Sequence, residues 1–393
     1  MANPKLALLQ PYPFERLRAL FSGVQPSQAH SNINLSIGEP KHPTPAVLTN
    51  ALTQSLSGLS VYPTTLGVPE LRNSIANWIK RRYRVQVDAS EQVLPVLGSR
   101  EALFAFAQVV LDPSETDALV ISPNPFYQIY EGAALLGGAT PHYLPITASG
   151  QCDYAAVSPS VWVKTRLVYV CTPGNPTGAV LSLDQWMALF KASDEFGFVI
   201  AADECYSEIY LNEAQPPLGA LEAAQRLGRA NFKNLIVFSS LSKRSNAPGL
   251  RSGFVAGDAF WIKAFLTFRT YHGSAMSPTI QQASIAAWND DEHVRENRRQ
   301  YLIKFKEVTP ILKAGFEVQI PEAGFYLWMK TKICDQAFCK QLLLEKNVTL
   351  LPGSFLARTV NELNPGAGYV RIALVAPLED CVAAAYRIKE LTN

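Results

Sequence analysis

Little in this chain would tie it to nucleic acid, to a metal or to an oxidising compartment. The formal net charge is only +2 over 393 residues, whereas phosphate backbones are bound by concentrated basic faces. The one tight basic cluster, Lys80-Arg81-Arg82-Tyr83-Arg84, closes an expected amphipathic helix. Cations suit that negative end of the helix dipole, so the cluster reads as a solvated helix end. There are six cysteines and five histidines. No two cysteines form a CxxC pair and none is spaced with a histidine as a metal site would be, so no metal is expected. Cys171 and Cys205 lie in apolar, strand-like stretches and are expected to be buried free thiols of a reducing compartment. The opening Met1-Ala2-Asn3-Pro4-Lys5 lacks the apolar run of a secretory signal. No stretch approaches the roughly 18 consecutive apolar residues of a membrane span. Neither nucleic acid nor membrane is expected as a partner, and the expected location is cytoplasmic. No GxGxxG follows a first strand, and Gly137-Gly138 has the wrong context, which counts against a dinucleotide-dependent dehydrogenase. There is no internal repeat and no low-complexity tract.

What is present is an ordinary globular balance, 48% hydrophobic and 17% charged, with ample material for a core. Residues 1–35 are irregular, broken by Pro4, Pro11, Pro13 and Pro26, with a short helix expected at 14–20. Another helix is expected at 45–57. From residue 69 a strand–helix alternation takes over. Helices are expected at 69–82, 101–110, 126–136 and 183–196, the last opened by Ser182 as N-cap. Short apolar strands are expected at 93–97, 118–121, 167–170, 198–202 and 235–239. Such strands between helices indicate a mainly parallel sheet buried on both faces. After about residue 285 the pattern changes to a long polar helix at 291–313, strands at 315–319 and 325–329, a helix at 335–346, a strand at 369–374 and a helix at 379–391. The expected fold is α/β. It has a large domain over 45–285, a small α+β domain over 286–393, and an N-terminal segment 1–44 joining the small one.

Polar residues collect at several expected strand ends, where open α/β sheets place their ligands. Gly98-Ser99-Arg100 follows a strand and opens a helix, which suits a phosphate dianion, although such a turn often carries Gly and Ser for its own geometry. Ser239-Ser240-Leu241-Ser242-Lys243 follows another strand, with Arg251 eight positions beyond the lysine. Two hydroxyls and that arginine can cradle one phosphate, leaving Lys243 to reach an aldehyde carbon on the same ligand. Alone, Lys243 is an ordinary loop charge. Asp203 ends the run Phe198-Val199-Ile200-Ala201-Ala202; a carboxylate there is costly unless paired. It suits a protonated pyridine nitrogen, or an N-cap for the next element. Asn175 lies in the turn-rich Cys171-Thr172-Pro173-Gly174-Asn175-Pro176-Thr177-Gly178.

Together, and in this order, these pieces resemble the fold-type I, pyridoxal 5′-phosphate-dependent class I/II aminotransferases. The resemblance extends over essentially the whole chain. It implies the PLP-transferase fold, with Lys243 as the Schiff-base lysine, Asp203 as partner of the pyridine nitrogen, and Asn175 and Tyr206 on the ring 3-oxygen. Tyr127 would stack on the ring face. Gly98, Ser99, Arg100, Ser240, Ser242 and Arg251 would hold the phosphate, joined across a homodimer interface by Tyr62. Arg371 would take the substrate carboxylate as a bidentate pair, with Asn175 beside it, and Gly38 would lie in the segment that closes over substrate. Asp203, Tyr206 and Lys243 would carry the catalysis. Ser252 departs from the family, which usually has an apolar residue there. The cofactor residues do not separate transfer from a PLP-dependent β-lyase. A PLP-binding regulator would generally carry a DNA-binding domain ahead of the fold, and no basic helix-turn-helix is seen here.

Longer stretches are similar to the proteobacterial N-succinyl-L,L-diaminopimelate aminotransferases of lysine and diaminopimelate biosynthesis. They are Gln10-Pro11-Tyr12-Pro13-Phe14-Glu15-Arg16-Leu17, segment 35–45 around Gly38-Glu39-Pro40-Lys41-His42, Asp203-Glu204-Cys205-Tyr206-Ser207-Glu208-Ile209-Tyr210, and segment 269–276. That likeness implies exchange of an amino group between the succinylated amino acid and 2-oxoglutarate. A related acylated or long-chain amino acid is the alternative. Arg18, Lys41, His42 and His272 are candidates for the carboxylates of the substrate tail. Segment 272–279 has no arginine to hold an aspartate side chain.

Overall fold

Neighbouring residues of the central strands are all apolar because each set goes to a different core. In the computed structural model, which describes residues 2–391, Leu167 and Tyr169 pack with Val199, Ala201, Ile236 and Phe238. Val168 and Val170 pack with Ile200, Ala202 and Val237 on the other side. A strand buried on both faces has no polar side to show.

Seven strands build this sheet: β1 (Val93–Val96), β2 (Leu119–Asn124), β3 (Thr140–Pro145), β4 (Thr165–Cys171), β5 (Val199–Asp203), β6 (Leu235–Ser240) and β7 (Gly253–Gly257). Their order is β1-β7-β6-β5-β4-β2-β3. Strands β2 to β6 are parallel, and β7 runs antiparallel to both β6 and β1. The sheet is the mainly parallel one expected. Its register sets Cys171 beside Asp203, Asp203 beside Phe238, Ser240 beside Gly253, and Gly253 beside Val96. The carboxyl ends of β1, β4, β5 and β6 therefore share one edge.

Helices cover both faces. Among them are α1 (Pro69–Tyr83), α2 (Ser99–Val110) and α3 (Leu183–Phe196). Helix α3 is delimited by local chemistry. Ser182 Oγ accepts from the Gln185 amide while Gln185 Oε1 accepts from the Ser182 amide, and Gly197 takes the left-handed turn at φ 81° that ends it. Trp78 of α1 anchors one core, its ring 4.9 Å from that of Trp288 and 5.8 Å from that of Phe254.

Helix α4 (Pro278–Asn289) runs through the expected 285/286 boundary, and α5 (Glu292–Lys313) follows it directly. Beyond them β8 (Tyr326–Lys330) and β9 (Tyr369–Ala373) pair antiparallel, with Leu351–Pro352 on the other edge of β9. The strand expected at 315–319 does not form; only an isolated bridge joins Val318 to Met329. Ile33–Asn34 pairs with Val348–Thr349, and Ile33 and Leu35 enter the core made by Phe305, Leu327 and Ile372. This places residues 36–38 between that core and the edge of the large sheet. Among the described residues, no helix is long and apolar enough to cross a membrane.

Candidate active site

A cavity of about 600 Å³ opens at the shared edge of the sheet. Ser99, Arg100, Tyr127, Asn175, Asp203, Tyr206, Ser240, Ser242, Lys243, Arg251, Arg371 and Gly38 all line it. These residues come from eight separate regions of the sequence, and the strand ends bring them together.

At one end of the cavity, Gly98 precedes α2 with φ +91°, a conformation that disfavours side chains. A Cβ on Gly98 would stand 2.6 Å from Arg251 Nη2, so the glycine lets the guanidinium lie against the backbone at the start of α2. Arg251 is held there by donating to the carbonyls of Pro248 (2.9 Å) and Leu97 (3.1 Å). Ser240 Oγ accepts from the Ser242 amide at 3.2 Å. Hydroxyls, a guanidinium and a helix N-terminus in this arrangement suit a phosphate dianion.

Asp203 ends β5 and is 4% exposed. Its oxygens accept from the Tyr130 hydroxyl (2.7 Å) and the Cys205 amide (3.2 Å), both uncharged donors. Burial raises its pKa, and those hydrogen bonds oppose the rise. A cationic N–H placed against it would remove the penalty. Lys243 lies in the short helix Leu241–Arg244 that follows β6. Its Nζ donates to the Gly38 carbonyl at 2.6 Å, and burial lowers its pKa to about 8. A substantial fraction of this amine is therefore neutral, hence nucleophilic, near pH 7–8.

Arg371 stands on β9 with its guanidinium 4.4 Å from the Tyr326 ring. It donates to Asn175 Oδ1 (3.0 Å) and the Ser36 carbonyl (2.8 Å), and its buried Nε has no partner. The Tyr206 and Tyr326 hydroxyls bond at 2.8 Å. Gly38 is required by contact: a Cβ there would fall 1.8 Å from the Tyr326 hydroxyl. The phosphate cradle, the buried carboxylate and the amine fit the three ends of pyridoxal 5′-phosphate. Among the described residues there is no metal-binding cluster of His, Cys, Asp or Glu.

Several expectations change. Cys171 and Cys205 are not fully buried; both line the cavity, and Cys205 Sγ donates to Ser99 Oγ at 2.8 Å. Tyr62, expected to act across a dimer interface, is 99% exposed and does not line this chain's own cavity, which leaves that expectation unchanged. None of the four tail candidates lines it either. Lys41 pairs with Glu39 in solvent, Arg18 is exposed, and His272 bonds Ser274 Oγ beside a smaller adjoining cavity. His42 turns into the protein, toward Asn297 and Lys304. Tyr12, Gln128, Tyr326 and Leu356 line the cavity without having been picked out. Tyr12 lies in a stretch that carries a family likeness; Tyr326 is one aromatic in an apolar strand and gives no separate signal.

The family profile described as Aminotransferase class I and II matches residues 31–387. The LL-diaminopimelate aminotransferase of Aquifex aeolicus (strain VF5) is 30% identical over 403 aligned positions, covering 99% of this chain and 98% of that one. The crystal structure of an aminotransferase from Neisseria meningitidis Z2491 is 54% identical, with a TM-score of 0.96 over all of both chains. The probable N-succinyldiaminopimelate aminotransferase of Thermus thermophilus is 26% identical, with a TM-score of 0.84 over 96% of this chain and 98% of that one.

Proposed function

The chain belongs to the class I and II aminotransferases, a pyridoxal 5′-phosphate-dependent family, and from that premise we propose that it transfers the amino group between N-succinyl-L,L-2,6-diaminopimelate and 2-oxoglutarate. The observation that carries the reaction class is the convergence of Lys243, Asp203 and Arg371 in one cavity. For the substrate, the name of the Aquifex relative supports a diaminopimelate as amino donor, in its unsubstituted form, and the name of the Thermus relative supports the N-succinyl form. The segments that carry the likeness to the succinyl enzymes also contribute: Tyr12 and Phe14 from the first, Gly38 from the second, and Asp203, Cys205 and Tyr206 from the third line the cavity.

When bound, the cofactor supplies an aldehyde that condenses with amines and a ring that takes up the electron pair left by a broken Cα–H bond. Everything else falls to the chain. Arg371 orients the substrate by its α-carboxylate, and its existing bond to Asn175 sets that carboxylate against the ring-binding residues. Lys243 would carry the proton from the substrate Cα to the carbon that was the cofactor's aldehyde, across the nitrogen joining the two, a role suited to an amine whose pKa burial has brought to about 8. Asp203 keeps the ring nitrogen protonated. Asn175 and Tyr206 hold the ring oxygen, and Tyr127 covers one ring face. Ser99, Ser240, Ser242 and Arg251 anchor the phosphate, with Arg100 and Gly98 contributing at the start of α2. Tyr62, fully exposed in one chain, reaches the phosphate of the second subunit in a homodimer.

The test is a panel of amino donors given to the cofactor-loaded protein, read as loss of its visible absorbance and regeneration by 2-oxoglutarate. The N-succinyl compound is expected to react at least about tenfold faster than the N-acetyl compound, free L,L-diaminopimelate or aspartate, the scale that one recognised tail group gives. A faster reaction with free diaminopimelate would transfer the assignment to the unsubstituted substrate. Release of pyruvate and ammonia without an acceptor would make the protein a lyase.

A further inference from the structure

His42 takes part in a buried polar chain behind Lys243. Asn297 Nδ2 donates to the peptide oxygens of Lys243 (3.2 Å) and Arg244 (3.4 Å). Two carbonyls at that nitrogen fix which way the amide faces. Asn297 Oδ1 is then the acceptor for Asn246 Nδ2 (3.1 Å) and His42 Nδ1 (2.8 Å). His42 accordingly carries its proton on Nδ1, and its bare Nε2 accepts from Lys304 Nζ at 2.7 Å. Lys304 also donates to the Val375 carbonyl at 3.4 Å. Asn297 is 2% and Lys304 3% exposed. The donors run one way, from Lys304 through His42 and Asn297 to the peptide that bears the reactive amine.

Asn297, Tyr301 and Lys304 are four and then three residues apart on α5, so they share one stripe of the helix. The Tyr301 ring is 4.6 Å from that of His42 and 5.4 Å from that of Phe325, and Lys243 Nζ stands 5.7 Å from the Phe325 centroid. An aromatic stack thus lies alongside the polar chain. Segment 36–42 is tied to this frame at three points. The Ser36 carbonyl accepts from Arg371, the Gly38 carbonyl accepts from Lys243 Nζ, and His42 donates to Asn297.

Resting on the aminotransferase reading above, we propose that His42 and Asn297 are positioning residues for Lys243. They fix the peptide from which its amine hangs and lock that peptide in register with the segment that orients Arg371. Neither lines the cavity. An amine that moves a proton between two carbons tolerates little displacement; an error of about 1 Å costs on the order of a hundredfold. Fixing the backbone at the root of a four-carbon side chain removes the largest lever on that error.

The experiment compares His42→Leu, His42→Asn, Asn297→Leu and Lys304→Met as cofactor-loaded enzymes. The readouts are kcat, KM, visible circular dichroism of the cofactor, and amide hydrogen exchange over segment 36–45. His42→Leu deletes the donor to Asn297, whereas His42→Asn returns an amide nitrogen close to where Nδ1 sits. His42→Leu and Asn297→Leu are expected to lose roughly 10- to 100-fold in kcat with KM changed less than about threefold. Their cofactor dichroism should weaken and exchange over 36–45 should quicken. His42→Asn should recover to within about threefold of wild type. Lys304→Met, which leaves both bonds of Asn297 to the Lys243–Arg244 peptides in place, should show a smaller loss of the same kind, and it stands in if Asn297→Leu does not fold. A His42→Leu enzyme with wild-type kcat and dichroism overturns the proposal. So does a loss that His42→Asn leaves unrepaired, because that is a packing effect. Failure of the aminotransferase reading shows separately, as wild-type protein that transfers no amino group from any donor.

Discussion

Replacing Asp203 with Asn should have opposite effects in the cofactor-free and cofactor-loaded proteins. The two side chains are nearly the same shape, so the Tyr130 hydroxyl at 2.7 Å keeps an acceptor. In the cofactor-free protein the change removes a carboxylate that burial disfavours as an anion. The sign follows from linkage. A folded pKa above the unfolded one means that the folded state binds more protons between the two. The stability is present in full below the unfolded value, near 3.9, and is lost as pH rises through the folded value. The substituted amide cannot titrate, so the cofactor-free variant should hold its thermal midpoint better than wild type as pH rises from about 4. With cofactor bound, the proposed pairing of Asp203 with the protonated ring would make the same change break a buried ion pair. Losing one partner of such a pair costs roughly 3–5 kcal/mol. At 1.36 kcal/mol per tenfold, that is about 150- to 5,000-fold in the rate of the half-reaction. Stopped-flow absorbance with saturating amino donor measures that rate, and differential scanning fluorimetry measures the midpoints. A variant that reacts within tenfold of wild type would refute the pairing of Asp203 with the ring, whatever its stability.

Other consequences follow from the same geometry. Arg371→Lys keeps the charge and loses the two-pronged grip, so KM for the amino donor should rise by roughly 10- to 150-fold, the 1.5–3 kcal/mol of a charged hydrogen bond; steady-state kinetics checks it. Gly98→Ala puts a Cβ 2.6 Å from Arg251 Nη2 at φ +91°. Dialysis against free cofactor should show retention weakened by about 5- to 150-fold, the equivalent of 1–3 kcal/mol of local strain. Trp78→Ala opens a cavity among Tyr83, Phe254 and Trp288. It should cost about 3–5 kcal/mol in chemical denaturation, with turnover per folded molecule unchanged.

How much of this was legible in the sequence varied with the physics of each element. Strand β5 was plain because a fully apolar run ends in a carboxylate, and α3 because its cap and its closing glycine are both local. Strand β7 went unread, since Gly253 and Gly257 at its ends carry no strand preference and its pairing with β6 and β1 is set at long range. Strand β3, with Pro141 and Pro145 at the sheet edge, looks like a loop for the same kind of reason. The helix Ala259–His272 was passed over because apolar side chains such as Phe260 and Tyr271 lie on its exposed side and blur the 3.6-residue period. Within the site, Gly38, Ser99, Asn175, Asp203, Lys243 and Arg371 sit in motifs, so their place in one cavity could be expected in advance. Asn297 and Lys304 could not, because a polar residue on a polar helix reads as solvent-facing until the fold turns that stripe inward. His42 was noticed for its charge and given the wrong neighbours, since nothing local shows that its side chain enters the protein.

The central claim is that Lys243, and no other lysine, joins the cofactor. Borohydride reduction of the cofactor-loaded protein followed by peptide mass mapping tests it directly. The expected result is one added cofactor mass, on the peptide containing Lys243, and no turnover from a Lys243→Ala variant. A mass on any other lysine, or a Lys243→Ala variant that still transfers amino groups at the wild-type rate, would contradict it.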